Sequence, residues 1–345
     1  MRLIQSFGIS VPGYKIEEFA KDEKHKARVF SYGSQAYLLM LSQFLHLFSL
    51  NELVDVSKIY QSELSRIRGI TAANLNTFSY ANRERNPMVM QRFFWHVYEQ
   101  FRKQDPAFIG GRHHGRLTRF KLRNIYAIDS TTIQLAYWCI GWAKHRQKKA
   151  AVKVHMVANV ASRLPHFCVF GLAKDHDSKK EDETILLAGQ RSPKEYPETM
   201  RRITAHVLVN GQWRDMVFLT NNFSWAASTV ADLYKARWEV ELLFEEHKQT
   251  LQLQDFYGEN EKAVEWQIWA ALLTHLLLRY LKYKSGATCS YSRFAAIVRA
   301  IVWLKKDAME ILKSYGIAPP PNIGDVATGM PYLPGFEKVF LKSVG

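Results

Sequence analysis

Four polar side chains with complementary chemistry lie at helical spacing within a 15-residue stretch of the chain: Tyr234, Arg237, Glu241 and Lys248. At about 100° per residue they fall within roughly 60° of one another, so one helix would present all four on a single face. The carboxylate can bind a metal ion, the two cations can neutralise phosphates, and the phenol can hydrogen-bond one. The alternative is a solvated charged face held by i, i+4 pairs such as Arg237 with Glu241.

A second acid, Asp129, follows a short apolar strand predicted over residues 124–128 and precedes Ser130 and two threonines. A carboxylate at the end of a strand lies at a sheet edge, where it can bind a metal ion, although Asp is also a common turn residue. Asp129 and the polar helix face together favour a metal site that acts on a phosphate backbone.

The segment before residue 110 is predicted to be mostly helical. Residues 35–48 are apolar at helical spacing, and Ser49 with Glu52 three residues later is typical of a capping box that starts another helix. A further helix is predicted over 87–103, with Pro87 in its first turn. This helical region could bind DNA or only pack against the remainder of the chain.

The segment after Gly110-Gly111 is predicted to combine strands and helices. Its predicted strands after the first cover residues 152–157, 167–172, 203–209 and 212–219. The last two flank Asn210-Gly211 and form a hairpin. A long helix that begins near Ser224 or Ser228 follows and carries the four polar residues.

Composition favours a polyanionic partner and an intracellular location. Lys and Arg outnumber Asp and Glu by 47 to 32, a formal net charge of +15. The three cysteines are isolated in the sequence, which is typical of reduced thiols in a cytoplasmic protein. The most apolar segment, residues 268–278, is too short to span a bilayer, so no membrane association is expected.

The spacing of Tyr234, Arg237, Glu241 and Lys248 resembles the signature helix of DDE transposases of the IS-four insertion-sequence group. The strand 217–222 (VFLTNN) ahead of that helix fits the same group, as do Trp238 within the helix and the Asp-Ser-Thr run at Asp129. Residues 76–85 (NTFSYANRER) resemble the helical region that precedes the catalytic core in one branch. The resemblance covers nearly the whole chain.

This resemblance implies a ribonuclease H-like α/β core over residues 111–345, preceded by a helical N-terminal region over 1–110. It implies DNA transposition, with metal-dependent cleavage and strand transfer at insertion-sequence ends, and it allows a homodimer on DNA. Two magnesium ions would be held by two aspartates and a glutamate. By position, Asp129 matches the first acid and Glu241 the third, with Tyr234, Arg237 and Lys248 against the DNA.

The second acid has no clear match, because the stretch from Ser178 to Met200 is too short for a helix, a strand and a second helix. We therefore predict an internal deletion near residues 180–200, which leaves a truncated core and a remnant of the β insertion over about 190–215. The remaining candidates for the second acid are four carboxylates whose ordinary role is on the surface: Asp175, Asp177, Asp182 and Asp215.

Two hypotheses follow from this gap. In the first, the chain still catalyses transposition, with a substitute acid or a partner subunit completing the site. In the second, it is a catalytically inactive DNA-binding remnant of a transposase. The missing acid favours the second hypothesis for the activity of this chain.

Overall fold

The computed structural model of the protein describes residues 14–24, 29–68, 70–111, 125–135, 139–146, 149–172, 201–209, 212–250, 256–302 and 308–315. In these residues, the helices that precede the first strand are α1 Tyr14–Phe19, α2 Tyr32–Leu45, α3 Leu50–Ile59, α4 Gln61–Arg68, α5 Leu75–Glu84, α6 Met88–Gln104 and α7 Pro106–Gly110. The N-terminal segment is therefore helical, as predicted.

Capping hydrogen bonds explain where α2 and α3 begin. The Ser49 hydroxyl accepts a hydrogen bond from the Glu52 backbone N–H at 3.1 Å, so the predicted cap is confirmed. The Glu52 carboxylate accepts from the Phe48 N–H at 2.8 Å, one residue before the cap. Helix α2 begins at Tyr32, three residues earlier than predicted, because the Ser31 hydroxyl caps it by accepting from the Ser34 N–H.

An antiparallel sheet follows, with β1 Tyr126–Leu135, β2 Lys144–Arg146, β3 Lys149–Asn159 and β4 Leu164–Leu172, and the short helix α8 Ile140–Ala143 before β2. Strand β3 pairs with β1 along its whole length and with β4 on its other edge. The prediction that the strands over 152–157 and 167–172 share one sheet is confirmed. Strand β2 pairs only with the beginning of β3.

The prediction that the first strand ends at Asp129 is wrong. Strand β1 continues to Leu135, and Asp129 lies within it, opposite Met156 of β3. The residues after Asp129 include Thr131, Thr132 and Ile133, whose β-branched side chains favour a strand, and these residues keep pairing with β3. The residues before and after Asp129 are therefore both paired with β3, which fixes the position of Asp129 in the sheet.

Strands β5 Arg201–Val209 and β6 Gln212–Thr220 pair antiparallel, which confirms the predicted hairpin. The helices after them are α9 Ala227–Ala236, α10 Trp238–Thr250, α11 Glu261–Ser285, α12 Tyr291–Ile301 and α13 Ala308–Ser314. Helix α9 packs on the hairpin, with the Phe218 and Tyr234 ring centroids 4.8 Å apart.

The prediction of one continuous helix through residues 234–248 is wrong, because the helix is interrupted at Arg237. There the Arg237 N–H donates to the Tyr234 carbonyl at 3.1 Å and the Val240 N–H donates to the Arg237 carbonyl at 3.0 Å. These i→i−3 bonds tighten the turn between α9 and α10. Tyr234 therefore belongs to α9, whereas Glu241 and Lys248 belong to α10.

Helix α11 is the centre of the core. It is 25 residues long, almost wholly buried, and packs against α2, α5, α6, α10 and α12. One cluster of buried side chains joins the N-terminal helices, the β1–β4 sheet and the C-terminal helices. The division at residue 110 therefore separates two segments of the chain that share a hydrophobic core, and it stays a prediction as a domain boundary.

The mixed α/β class is confirmed in the described residues. No single helix among them has the length and apolar composition to cross a membrane; α2 and α3 pass that test only together, and they meet at 105°. The suspected deletion near 180–200 and Asp175, Asp177 and Asp182 lie outside the described residues. So do residues 190–200 and the Asn210-Gly211 turn of the insertion predicted over 190–215; of Asp215 only the pairing opposite His206 is described.

The shared core predicts cooperative unfolding of the N-terminal helices and the sheet. Trp269 of α11 is 2% exposed, and its ring contacts Phe94 of α6 and Phe170 of β4. We expect Trp269→Ala to lower the free energy of unfolding by about 3–5 kcal/mol. The half-exposed Trp238 provides the control, since Trp238→Ala removes the same group from the surface. Two separate unfolding transitions in the Trp269→Ala variant would contradict a shared core.

Candidate metal and nucleic-acid site

The two acids singled out in the sequence meet at one guanidinium group. Arg237 Nη1 donates to Asp129 Oδ2 at 2.9 Å, and Arg237 Nη2 donates to Glu241 Oε1 at 2.8 Å. Asp129 comes from the middle of β1, Arg237 from the α9–α10 junction and Glu241 from the first turn of α10. Residues 108 positions apart in the chain are thus joined through a single side chain.

Electrostatics account for this arrangement. The side chains of Asp129, Arg237 and Glu241 are 23%, 32% and 37% exposed, so each is partly shielded from water. Burial disfavours the Arg237 cation, but the Asp129 and Glu241 carboxylates outweigh it and raise the pKa of the guanidinium. Arg237 thus supplies the positive charge that compensates both carboxylates.

The other two predicted residues lie on either side of this pair of acids. Lys248 Nζ donates to the Thr131 hydroxyl at 2.7 Å, and Thr131 is two residues beyond Asp129 on the same face of β1. The Arg237 guanidinium lies over the Tyr234 ring, 5.6 Å from its centroid. The structure therefore brings together all five predicted residues, through tertiary contacts rather than through one continuous helical face.

The donor set suits a hard divalent cation. Two carboxylate oxygens that converge on one cationic group provide the ligand type that Mg²⁺ prefers. Among the described residues, no group of three or more His, Cys, Asp or Glu side chains is placed to hold a metal ion. Asp129 and Glu241 therefore fit a single ion completed by water, whereas a second ion requires an acid from elsewhere.

Several charged residues near the site had not been predicted. Arg163 Nη1 donates to Glu246 Oε1 at 3.3 Å, and Arg163 Nε donates to the Glu239 carboxylate. Arg279 of α11 also donates to Glu246. A seven-residue spacing of Glu239 and Glu246 was visible in the sequence, but nothing in the sequence connected it with an arginine in the β3–β4 turn.

Two buried histidines pack behind α10. The His247 and His275 rings stack with their centroids 4.2 Å apart, and His247 Nδ1 donates to the Leu243 carbonyl at 2.7 Å. Burial lowers the pKa of His247 to about 4, and burial also lowers the pKa of His275 well below its usual value, with His247 and Arg279 acting in the same direction. Both rings are therefore neutral in the folded protein at pH 7.

These histidines make stability depend on pH. Both folded-state pKa values lie below the unfolded value of about 6.5, so their stabilising contribution is complete above pH 6.5 and is lost as the pH falls toward 4. For His247 alone, we expect the free energy of unfolding to be about 2 kcal/mol lower at pH 5 than at pH 7. His247→Phe should reduce this pH dependence in urea unfolding, whereas His166→Phe, at an exposed position, should not. Equal slopes in the two variants would contradict the assignment.

Comparisons with known proteins find similarity to transposases. A family model described as "Transposase DDE domain" matches residues 189–277, which include Arg237 and Glu241. A protein of Sinorhizobium fredii named as a transposase, y4zB, is 33% identical over 141 residues, which cover 41% of this chain and 37% of that protein. A protein of Geobacillus stearothermophilus named as a probable transposase for insertion sequence element IS5377 is 38% identical over 85 residues, 24% of this chain and 22% of that protein.

A longer alignment reaches a protein of Synechocystis named as a transposase for insertion sequence element IS4SA. It is 22% identical over 331 aligned positions, which cover 81% of this chain and 89% of that protein. No solved structure matches the chain significantly. Over these regions the chain is similar to DDE transposases and to proteins named as transposases of insertion sequences. It spans only 37% and 22% of the lengths of the Sinorhizobium and Geobacillus relatives.

The bridging arginine predicts how the site responds to cations. In Arg237→Gln the Asp129 and Glu241 carboxylates lose their counter-ion, so a divalent cation should bind them more tightly than in the wild type. We expect Mn²⁺ to raise the midpoint of thermal unfolding more in Arg237→Gln than in the wild type. Arg102→Gln, which breaks an exposed pair with Glu99, is the matched control. An Mn²⁺ response that is the same in all three proteins would contradict a cation site at these carboxylates.

Proposed function

We propose that the protein is a DNA transposase that cleaves phosphodiester bonds at insertion-sequence ends, with Asp129 and Glu241 as two of its metal-binding acids. The observation that carries this proposal is the convergence of these two carboxylates on Arg237. A surface ion pair of α10 alone would not recruit an aspartate from the middle of β1. Similarity to the DDE transposases supplies the chemistry that such a pair of acids performs.

The arrangement of the strands supports a ribonuclease H-like core. Strands β1, β3 and β4 form an antiparallel meander with β3 between the other two. Helix α10 packs on β1 and thereby delivers Glu241 to Asp129. In the proposed fold a fourth strand lies beside β1, and within the described residues β1 pairs only with β3.

Each residue of the site has a role in this proposal. A divalent magnesium ion held by Asp129 and Glu241 would supply Lewis acidity and an activated water. With a cation bound to the two acids, the Arg237 guanidinium would be available to neutralise a DNA phosphate. Lys248 presents an ammonium group two residues along β1 from Asp129, and the Tyr234 phenol, 40% exposed as a residue, can hydrogen-bond a phosphate. A net charge of +15 favours DNA as the partner. A dimer on paired ends stays a prediction.

A second candidate function, that of an inactive DNA-binding remnant, is favoured by a specific observation. The alignment with the Synechocystis protein has 331 positions, but 81% of 345 residues is about 280, so about 50 positions have no counterpart in this chain. A loss of that size accommodates a strand, a helix and their connections. If these positions lie together near residues 180–200, they correspond to the proposed deletion, which would remove the second acid.

Strand cleavage distinguishes the two candidates. The substrate is labelled DNA from the two flanks of the coding segment, with Mg²⁺ or Mn²⁺ present. If the chain is active, Asp129→Asn and Glu241→Ala should each lower the cleavage rate at least 100-fold, because each removes a metal ligand. Glu245→Ala removes an exposed acid one turn further along α10 and should leave the rate unchanged.

Three outcomes are informative. Cleavage that depends on both Asp129 and Glu241 supports the transposase and excludes the inactive remnant. Retention of DNA by the wild type with no cleavage at any metal concentration supports the remnant. Cleavage that survives Glu241→Ala would show that the acid has been assigned wrongly.

A further inference from the structure

Helix α10 carries two charged stripes, one on each side of its buried face. The buried face consists of Val240, Leu243, Phe244 and His247. Glu239 and Glu246 are seven residues apart and so share one side of the helix, whereas Glu241 and Lys248, also seven apart, share the other. At about 100° per residue the two stripes lie roughly 160° apart. Charged residues can therefore anchor α10 to its neighbours on both sides of its buried face.

Both flanks are held in the structure. On the first, Glu241 and Lys248 face β1 through Arg237, Asp129 and Thr131, as described above. On the second, Arg163 lies between the two glutamates, with Nε donating to Glu239 and Nη1 donating to Glu246 Oε1 at 3.3 Å. We call Arg163, Glu239 and Glu246 the Arg163 cluster. It joins α10 to the turn between β3 and β4, and hence to the sheet that carries Asp129.

The Arg163 cluster is anchored to the core from behind. Glu246 Oε2 accepts from Arg279 of α11, and Arg279 Nε donates to His275 Nε2 at 2.8 Å. The Glu246 and Arg279 side chains are 15% and 16% exposed, and His275 is fully buried. An exposed ion pair contributes little, but this cluster is partly buried, networked and spans three elements that are distant in the chain.

Arg163 also has an unusual backbone conformation. Its φ is +53°, in the left-handed region, where glycine and asparagine are the favoured residues. Asn159 fixes the turn, since its side-chain oxygen accepts from the Ala161 and Ser162 N–H groups at 2.9 and 3.0 Å. A long charged side chain at a position that suits glycine indicates that the side chain itself has a role.

We propose that Arg163 is a positioning residue that fixes the rotation of α10 about its own axis, so that Glu241 faces Asp129. A roll of about 20° would move a group about 5–6 Å from the helix axis by about 2 Å, enough to break a hydrogen bond. The first flank alone resists this roll through Arg237 and Lys248. Arg163 adds a contact on the opposite flank, and the two flanks together oppose the roll. The value of this positioning for cleavage rests on the proposed function, whereas the positioning itself does not.

The test measures whether Arg163 controls the contact between Asp129 and Arg237. Asp129→Asn, Arg237→Gln and the double variant give the coupling of the pair by urea unfolding at low ionic strength, where screening is weak. The same cycle is repeated in Arg163→Ala and in Val97→Ala. Val97 is a buried residue of α6, so its substitution lowers stability without altering the Arg163 cluster.

We expect the coupling to be unchanged in Val97→Ala and to fall at least twofold in Arg163→Ala. Arg163→Gly, which removes the side chain but suits the left-handed backbone, should give the same loss and replaces Arg163→Ala if that variant fails to fold. Arg163→Lys, which cannot fork between two carboxylates, should restore less than half of the coupling. An undiminished coupling in Arg163→Gly would overturn the proposal.

The cycle uses neither DNA nor metal, so its result is independent of the cleavage assay. An inactive wild type with a coupling that depends on Arg163 would contradict the proposed activity and leave the positioning role intact. An active wild type whose Asp129–Arg237 coupling does not depend on Arg163 would support the proposed activity and contradict the positioning role. If both hold, Arg163→Gly should lower the cleavage rate at least tenfold more than Val97→Ala does.

Discussion

Two carboxylates from distant parts of the chain repel each other unless a positive charge or a shared proton compensates, and the arrangement of this protein around its site provides that charge. Arg237 carries this charge and hydrogen-bonds Asp129 and Glu241 at once. These two contacts form only at one position of α10 along β1 and at one rotation of α10 about its own axis. The Lys248–Thr131 hydrogen bond is a further contact between the same helix and the same strand. The remaining structure holds the strand and the helix in this relation.

The interruption between α9 and α10 is part of the same arrangement. Helix α9 packs on the β5–β6 hairpin, where Tyr234 contacts Phe218, whereas α10 packs on β1. The i→i−3 hydrogen bonds at Arg237 interrupt the helix between these two packing regions, and the Arg237 guanidinium lies between Asp129 and Glu241. Behind α10, the long buried helix α11 supports it through the stacked His247 and His275 rings.

Much of the site could be predicted from the sequence because its residues obey local rules. The spacing of Tyr234, Arg237, Glu241 and Lys248 reflects a helical period that survives the break at Arg237. The hairpin, the Ser49 cap and the strand over 152–157 follow from turn chemistry, capping and alternation. The sequence could not place the end of β1, because the continued pairing of Thr131 to Leu135 depends on β3. Nor could it connect Arg163 with Glu239 and Glu246, since that contact is made only by packing α10 on the sheet.

The central claim is that Asp129 and Glu241 form one divalent-cation site, and localised cleavage of the protein backbone tests it most directly. Fe²⁺ bound in place of Mg²⁺ generates hydroxyl radicals with ascorbate and peroxide, and these cut the chain near the metal. If Asp129 and Glu241 bind one cation, we expect cuts near both residue 129 and residue 241, both suppressed by excess Mg²⁺ and both lost in Glu241→Ala. Cuts at only one of these positions, or at both in Glu241→Ala, would contradict the claim.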